Sequence, residues 1–376
     1  MDLEALRSKI DDINSQLLTL FEQRMELTEQ VAIYKKENNL PIFQPDREEE
    51  ILSRIMKQTE KEENRQATKV FFSVLMDISK CQQKRVVSET AEITQKIQSS
   101  LHIPCKPAHT VACQGVPGAY SNLAAEQIFG QPNISYYQSF EDVFDAVENN
   151  RADYGILPID NSSAGTVGEV YTLMRKHSFF ICHSTKVKVE HCFCAKPGVP
   201  LEKITDVFTH IQALRQCSNF LSAHPALIQH EYSNTAAAAK YVAESKGFSA
   251  AICSERSARL YGLQILKQNI QNTDENYTRF ICFSKELRIP EENNRISIAL
   301  SIPNYAGSLY KLLTKFAVAD VNMSKIESKP IGTRNFDFIF YIDFSGSLTD
   351  PSILELLNDL AQEYEYFKFF GSYCEK

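Results

Sequence analysis

A basic residue interrupts the apolar seam of the first helical stretch, and this constrains the chain more than any other feature. Leu3, Leu6, Ile10, Ile13, Leu17 and Leu20 follow at alternating steps of three and four, and the pattern resumes at Leu27, Val31 and Tyr34. That spacing predicts one amphipathic helix from about Leu3 to Asn38, roughly 54 Å long, whose stripe needs a partner helix from this chain or a second one. The seam position between Leu20 and Leu27 is Arg24. A guanidinium there must meet a buried anion or carry a heavy desolvation penalty. Lys35 lies about three turns further on and roughly 20° round the helix, so two cations share one face. Together they point to a small polyanion. Arg7 is about 25 Å from Arg24 along the axis and roughly 100° round, out of reach of the same small ligand on one straight helix. If both serve one site, two subunits build it.

Asn38 to Pro41 reads as a linker, and Gln44-Pro45-Asp46-Arg47-Glu48 as a helix start, with proline followed by acidic residues. A third helix, over Gln66 to Gln95, carries Ser79 and Gln83 one turn apart on one face. On spacing alone an ordinary helical hairpin with solvated charges is the alternative. Residues 1–90 resemble the all-helical chorismate mutases. The motifs are Leu6-Arg7-Ser8-Lys9-Ile10-Asp11, Glu22-Gln23-Arg24, Lys35 and Arg47-Glu48. The resemblance implies that Arg24, Lys35, Arg47, Glu48, Ser79 and Gln83 line a site completed by Arg7 of the other subunit. Lys35, with Gln83 or Glu48, would face the reacting ether oxygen. Gln44 stands where the family usually has aspartate and would contact the substrate, retuning the site. A one-residue shift of alignment would put Ile78 and Gln82 in place of Ser79 and Gln83.

A chain of 376 residues should form two or three domains. Its 43% apolar and 23% charged content is ordinary for a globular protein, and a net charge of −7 argues against general binding to nucleic acid or anionic membranes. An anionic substrate must therefore be held by a local cluster of cations. The charged first residues and the lack of span-length apolar runs predict no secretion signal and no membrane segment, hence a cytoplasmic location. The ten cysteines are scattered without a CxxC pair, so reduced thiols are expected. His191-Cys192-Phe193-Cys194 is the only cluster resembling a metal site. It continues the alternating run Lys186 to Val189, which reads as one strand with Cys192 and Cys194 on one face; no metal is expected there.

A polar connection near Gln98 to His109 leads into an α/β region. Val111-Ala112-Cys113 reads as a strand, followed by Gly115-Val116-Pro117-Gly118-Ala119-Tyr120-Ser121 and a helix. Glycines before a helix can present free N–H groups to an anion. A second such turn, Asp160 to Gly165, follows the strand Tyr154 to Ile159 and is more polar than capping requires. Strands and helices alternate onward to Tyr277-Thr278-Arg279-Phe280 and its strand, which suggests two α/β lobes with a cleft; a solute-binding fold is the bland alternative. The glycine turn, the segment Pro158-Ile159-Asp160-Asn161-Ser162-Ser163-Ala164-Gly165 and the triplet Thr278-Arg279-Phe280 together resemble prephenate dehydratases. The resemblance implies a two-lobed, periplasmic-binding-protein-like domain in which Asp160, Asn161, Ser162, Thr209, Gln216 and Thr278 approach the substrate, with Arg279 nearby. Thr278 would protonate or orient the departing hydroxyl. Asp160 replaces a common glutamate and sets its carboxylate back by one methylene.

After Asn294 the pattern changes to strand, helix, strand, strand, helix, strand, the ferredoxin-like βαββαβ order. It also resembles the ACT regulatory domain, whose effector motifs here read Gly307-Ser308-Leu309-Tyr310 and Glu327-Ser328-Lys329-Pro330. The resemblance implies an amino-acid effector, phenylalanine, contacted by Gly307, Ser308, Leu309, Glu327 and Ser328; a small domain used only for dimerisation is the alternative.

The expected organisation is an all-helical mutase over 1–95, a linker over 96–109, a dehydratase over 110–285 and an ACT domain over 294–376. The family in that order implies a bifunctional enzyme that rearranges chorismate and aromatises prephenate, feeding phenylalanine synthesis under phenylalanine inhibition. No cofactor or metal is implied, and the partners are the two substrates, the effector and a homodimer or higher homo-oligomer. Competing expectations are a monofunctional dehydratase with a structural dimerisation helix, and a non-enzymatic amino-acid sensor.

Overall fold

The computed structural model describes residues 2–87, 91–100, 110–330 and 338–375. They form two compact units, Met1–Ser99 with Ser297–Lys368, and Ser100–Ile296 with Phe369–Lys376. The two ends of the chain thus belong mostly to one unit, although sequence pattern separates them as two domains.

In the first unit, α1 (Leu3–Glu37), α2 (Pro45–Gln58), α3 (Arg65–Val87) and α4 (Glu92–Ser99) are helices. Proline occupies the first turn of α2 beside Asp46 and Glu48, where acids complement the helix dipole. The single third helix expected over Gln66 to Gln95 is instead two, and α4 reaches into the expected linker. Its ordering is tertiary: Ile97 is fully buried, and the Ala91 N–H donates to Asn358 Oδ1 at 2.7 Å. Within the chain α1 packs on α3 through Met25, Thr28 and Ala32. The seam residues Leu3, Leu6, Ile10, Ile13, Leu17 and Leu20 stay 41–61% exposed. No helix among the described residues covers that stripe.

The second unit begins with β1 (Thr110–Gln114), α5 (Tyr120–Phe129), β2 (Asn133–Tyr137), α6 (Phe140–Glu148), β3 (Tyr154–Asn161), β4 (Gly165–Thr166), α7 (Gly168–Lys176) and β5 (Phe180–Lys188). It continues with β6 (Cys192–Ala195), β7 (Asp206–Thr209), α8 (Ile211–Gln216), α9 (Ser218–Ser222), β8 (Ile228–Glu231), α10 (Thr235–Glu244), β9 (Ser249–Cys253), α11 (Glu255–Leu260) and β10 (Gln264–Lys267). Then β11 (Tyr277–Ser284) returns. One lobe carries the strand order β5-β11-β3-β1-β2 and the other β10-β6-β9-β7-β8. The chain passes between lobes twice, from β5 to β6 and from β10 to β11. The expected continuous strand from Lys186 through Cys194 is therefore broken at Val189 to His191, where it changes sheets. Cys192 and Cys194 do share a face, packed with Ala238, Ala239, Val242 and Cys253, while Phe193 faces the opposite core.

The tail runs β12 (Arg295–Ile302), α12 (Ser308–Val318), β13 (Met323–Pro330), β14 (Phe338–Ser345), α13 (Pro351–Glu363) and β15 (Phe367–Glu375), the βαββαβ order. The sequence pattern predicts the third of these strands over Phe336 to Phe344, and its start at Phe336 lies outside the described residues. Strand order is β13-β14-β12, and Ser301 N–H donates to Tyr366 O ahead of β15. Helix α3 packs on α12 and α13, and this fuses the ends of the chain. Lys84 of α3 pairs with Asp359 at 2.6 Å and with Glu363, and Arg85 pairs with Glu355 at 2.9 Å. Buried Lys315 joins the same two acids of α13. Burial alone would lower its pKa, but the facing carboxylates hold it above the ordinary lysine value.

Candidate active sites

Helical spacing builds the first site. Arg24, Lys35, Gln44, Arg47, Glu48, Ser79 and Gln83 line one cavity of about 350 Å³, with Leu27 and Val31 of α1 as apolar wall. Ser79 and Gln83 face in from α3 beside Met76 and Lys80, whereas Gln82 bonds Glu29 at 2.6 Å. Arg24 Nη1 donates to the Ser79 hydroxyl and to Leu75 O at 3.3 Å. Lys35 Nζ donates to Ile42 O at 2.7 Å and Gln83 Oε1 at 3.2 Å. Neither cation has an ion-pair partner among the described residues, so both charges are held by neutral acceptors. Burial lowers the pKa of each, offset for Lys35 by the field of Glu48. Glu48 is itself paired with Lys80 at 2.9 Å, and Arg47 with Glu50 at 2.6 Å. The buried anion that Arg24 demands is thus not supplied by the described residues. Arg7 is exposed near the far end of α1 and does not line the cavity.

Strand register builds the second site. In the antiparallel β3–β11 pair Thr278 sits opposite Asn161, and Arg279 opposite Asp160. The Asn161 carboxamide is oriented by the backbone: its Oδ1 accepts from the N–H groups of Ser163 at 3.0 Å and Ala164 at 2.8 Å. Its Nδ2 must then point the other way, where it donates to Thr278 Oγ1 at 2.9 Å and Asn276 Oδ1 at 3.0 Å. Because Thr278 Oγ1 accepts this bond, its own proton is left for another acceptor, and none of the described residues takes it. Gln216, at the end of α8 in the other lobe, donates to Ser163 Oγ at 2.8 Å and bridges the cleft.

Other expected residues have different surroundings. The Ser162 hydroxyl is taken by the backbone, accepting from Tyr277 N–H and donating to Glu275 O, both at 2.9 Å. Thr209 is fully buried and its hydroxyl donates to Ile252 O at 2.7 Å, so it is satisfied inside the second lobe. Arg279 is buried between Asp160 at 3.2 Å and Glu375 at 3.6 Å, and Glu375 also holds Lys186 and Arg295. In the glycine turn the N–H groups of the two glycines themselves are committed within the fold. Gly115 N–H donates to Tyr137 O at 2.8 Å and Gly118 N–H to Asn122 Oδ1 at 3.1 Å. Gly118 has φ +87°, and a Cβ there would meet Ser257 and Leu260 at 3.2 Å, so glycine is required for the close approach of two segments. Asn276 and Glu375 escaped sequence reasoning, while Ser163 and His191 were read only as part of a motif and of a metal-like cluster. Ser163 had a signal, the second serine of Ser162-Ser163, whereas Glu375 lies about 100 residues from Arg279 and had none.

In the tail, Gly307 adopts φ +90° at the start of α12, and among the described residues no other segment comes within 4 Å of where a Cβ would stand. Leu309 is exposed, and Glu327 lies 3.3 Å from Lys325 and 3.7 Å from Lys329.

These are two polar sites of enzymatic character on two units, and sequence relatives agree with that division. The chorismate mutase type II family matches residues 6–84, and the prephenate dehydratase family matches 111–288. A bifunctional chorismate mutase/prephenate dehydratase of Enterobacter agglomerans is 30% identical over 382 aligned positions, covering 99% of this chain and 95% of its own. An arogenate dehydratase/prephenate dehydratase 2 of Arabidopsis thaliana is 37% identical over 275 positions, 70% of this chain and 72% of its own. Among solved structures, prephenate dehydratase from Arthrobacter aurescens in complex with L-Phe matches with a TM-score of 0.66 at 28% identity, covering 70% of this chain and 90% of that one. The chain belongs to the bifunctional chorismate mutase/prephenate dehydratase family.

Proposed function

We infer that this chain rearranges chorismate to prephenate in its helical site and converts prephenate to phenylpyruvate in its two-lobed site. The first reaction is a unimolecular rearrangement that needs no nucleophile. It needs the substrate held in its reactive conformer and charge stabilised on the breaking ether oxygen. Arg24 and Arg7 clamp the two carboxylates, and Lys35, fixed between Ile42 O and Gln83, faces the ether oxygen. Arg7 comes from a second copy of the chain, which lays its own α1 along the exposed seam. The uncompensated pair of cations and the uncovered stripe support this reading.

In the second reaction the electron pair of the bond to the ring carboxylate enters the ring as carbon dioxide leaves. The ring then expels its hydroxyl as hydroxide, which takes a proton relayed from solvent and leaves as water. Thr278 donates a hydrogen bond to that oxygen, and the observation carrying this assignment is the Asn161 amide, which donates to Thr278 Oγ1. Gln216 and Asn161 hold the remainder of the substrate.

The tail acts as an ACT domain that binds phenylalanine at Gly307, Ser308, Leu309, Glu327 and Ser328 and lowers dehydratase activity. Its βαββαβ order, the open left-handed Gly307 and the L-Phe complex of the Arthrobacter aurescens relative support this. A cytoplasmic setting fits the free cysteines. Among the described residues no helix is long and apolar enough to cross a membrane. The test is a time course of the purified chain with chorismate alone. Prephenate appearing first and phenylpyruvate after it supports both activities; unchanged chorismate with conversion of added prephenate leaves only the dehydratase.

A further inference from the structure

His191 sits where the chain crosses between lobes, and neither proposed reaction uses it. Its side chain is 1% exposed. Its backbone ties the two crossings together: His191 N–H donates to Gln271 Oε1 and Ile270 N–H donates to His191 O, both at 3.0 Å. Its Nε2 lies 2.9 Å from Gln216 Oε1, and its Nδ1 is buried with no hydrogen-bond partner among the described residues.

The direction of every bond between His191 and Thr278 follows from two backbone N–H groups. Ser163 and Ala164 donate to Asn161 Oδ1, making that atom an acceptor. The Ser163 hydroxyl lies 2.8 Å from that atom and 3.2 Å from Asn276 Oδ1, which likewise accepts from Asn161, so its only proton goes to one of these two acceptors. Gln216 must then donate to Ser163 Oγ, which turns its Oε1 toward the imidazole. An oxygen facing Nε2 requires the Nε2–H tautomer, and that leaves Nδ1 as a bare lone pair. The opposite tautomer would bury an unpaired N–H donor, the costlier defect. Burial also lowers the His191 pKa, which keeps the ring neutral.

We propose that His191 is a positioning residue for the dehydratase, its Nε2–H locking the Gln216 carboxamide so that the NH₂ group faces Ser163 and the cleft. One Gln216 N–H is used by Ser163, and the other is presented to an oxygen of the substrate, a carboxylate or ketone. Without the lock the amide can rotate by half a turn and offer an acceptor to an anion. The inference rests on the dehydratase reading of this cleft.

The test is kcat and KM for prephenate in His191→Phe, His191→Gln and His191→Asn, in variants whose melting transitions match the parent. His191→Phe should lower kcat/KM by about tenfold or more, mainly through KM. His191→Gln, whose amide nitrogen reaches the Nε2 position, should recover most of the loss; His191→Asn, which falls short, should not. In a Gln216→Ala background His191→Phe should add no further loss, because the residue acts through Gln216. An unaltered kcat/KM in His191→Phe, or losses that multiply in the double variant, overturns the assignment. Should His191→Phe fail to fold, equal activity of the Gln and Asn variants overturns it. A parent chain inert toward prephenate sinks the dehydratase reading as well, and so marks that failure apart.

Discussion

The two sites solve opposite problems with opposite materials. The helical site uses long cationic side chains on α1, which neutral groups on α3 and in the α1–α2 linker hold in place, and Arg24 and Lys35 meet no carboxylate among the described residues. The cleft site uses short polar side chains on paired strands, each oriented by the backbone through its neighbour. The first is built to receive charge and, in the proposed reading, depends on assembly. The second is built to aim single hydrogen bonds and depends on register. A rearrangement that builds charge at one ether oxygen suits the first, and expulsion of one hydroxyl suits the second.

Mutations should divide along that line. Thr278→Val keeps the shape and removes the donor, so prephenate turnover should fall by about 10²–10⁴-fold while chorismate turnover holds. An unchanged dehydratase rate would remove Thr278 from the chemistry. Arg24→Ala should lower chorismate mutase kcat/KM by roughly 10²–10³-fold and spare the dehydratase. A purely structural helix predicts instead no loss and greater stability, since a cation leaves an apolar seam.

Arg7→Ala should lower mutase kcat/KM by about 10–100-fold. Co-expression of Arg7→Ala with Arg24→Ala chains should restore roughly a quarter of the sites, because one site of each mixed dimer keeps both arginines. No restoration would place Arg7 outside the shared site. The smallest effect is expected at Gln44. Gln44→Asp should alter mutase kcat/KM by no more than about fivefold, as either side chain accepts a substrate hydroxyl. A collapse of activity there would make Gln44 essential.

Sequence made the helical site readable because helical period ties residue number to direction. Arg24 and Lys35 announce themselves by helical spacing, and of the two alignments at the third helix, Ser79 and Gln83 are the pair that lines the cavity. Long-range pairing was less legible. Helix α4 exists because α13 covers it, and Lys84 meets Asp359 and Glu363 from the far end of the chain. The run from Lys186 to Cys194 looks like one strand because its alternation survives a change of sheet. In the cleft, residue types were legible but roles were not. Ser162 and Thr209 commit their hydroxyls to backbone, whereas Ser163, one residue on from Ser162, bridges the lobes. Local pattern cannot tell a hydroxyl that staples from one that presents.

Activity as a function of protein concentration tests the contrast between shared and self-contained sites most directly. The purified chain is diluted until sedimentation shows monomer, and the rate per chain is read with chorismate and, separately, with prephenate. The mutase rate per chain should fall in step with dimer dissociation while the dehydratase rate stays level. A mutase rate that stays level in the monomer would contradict the shared site.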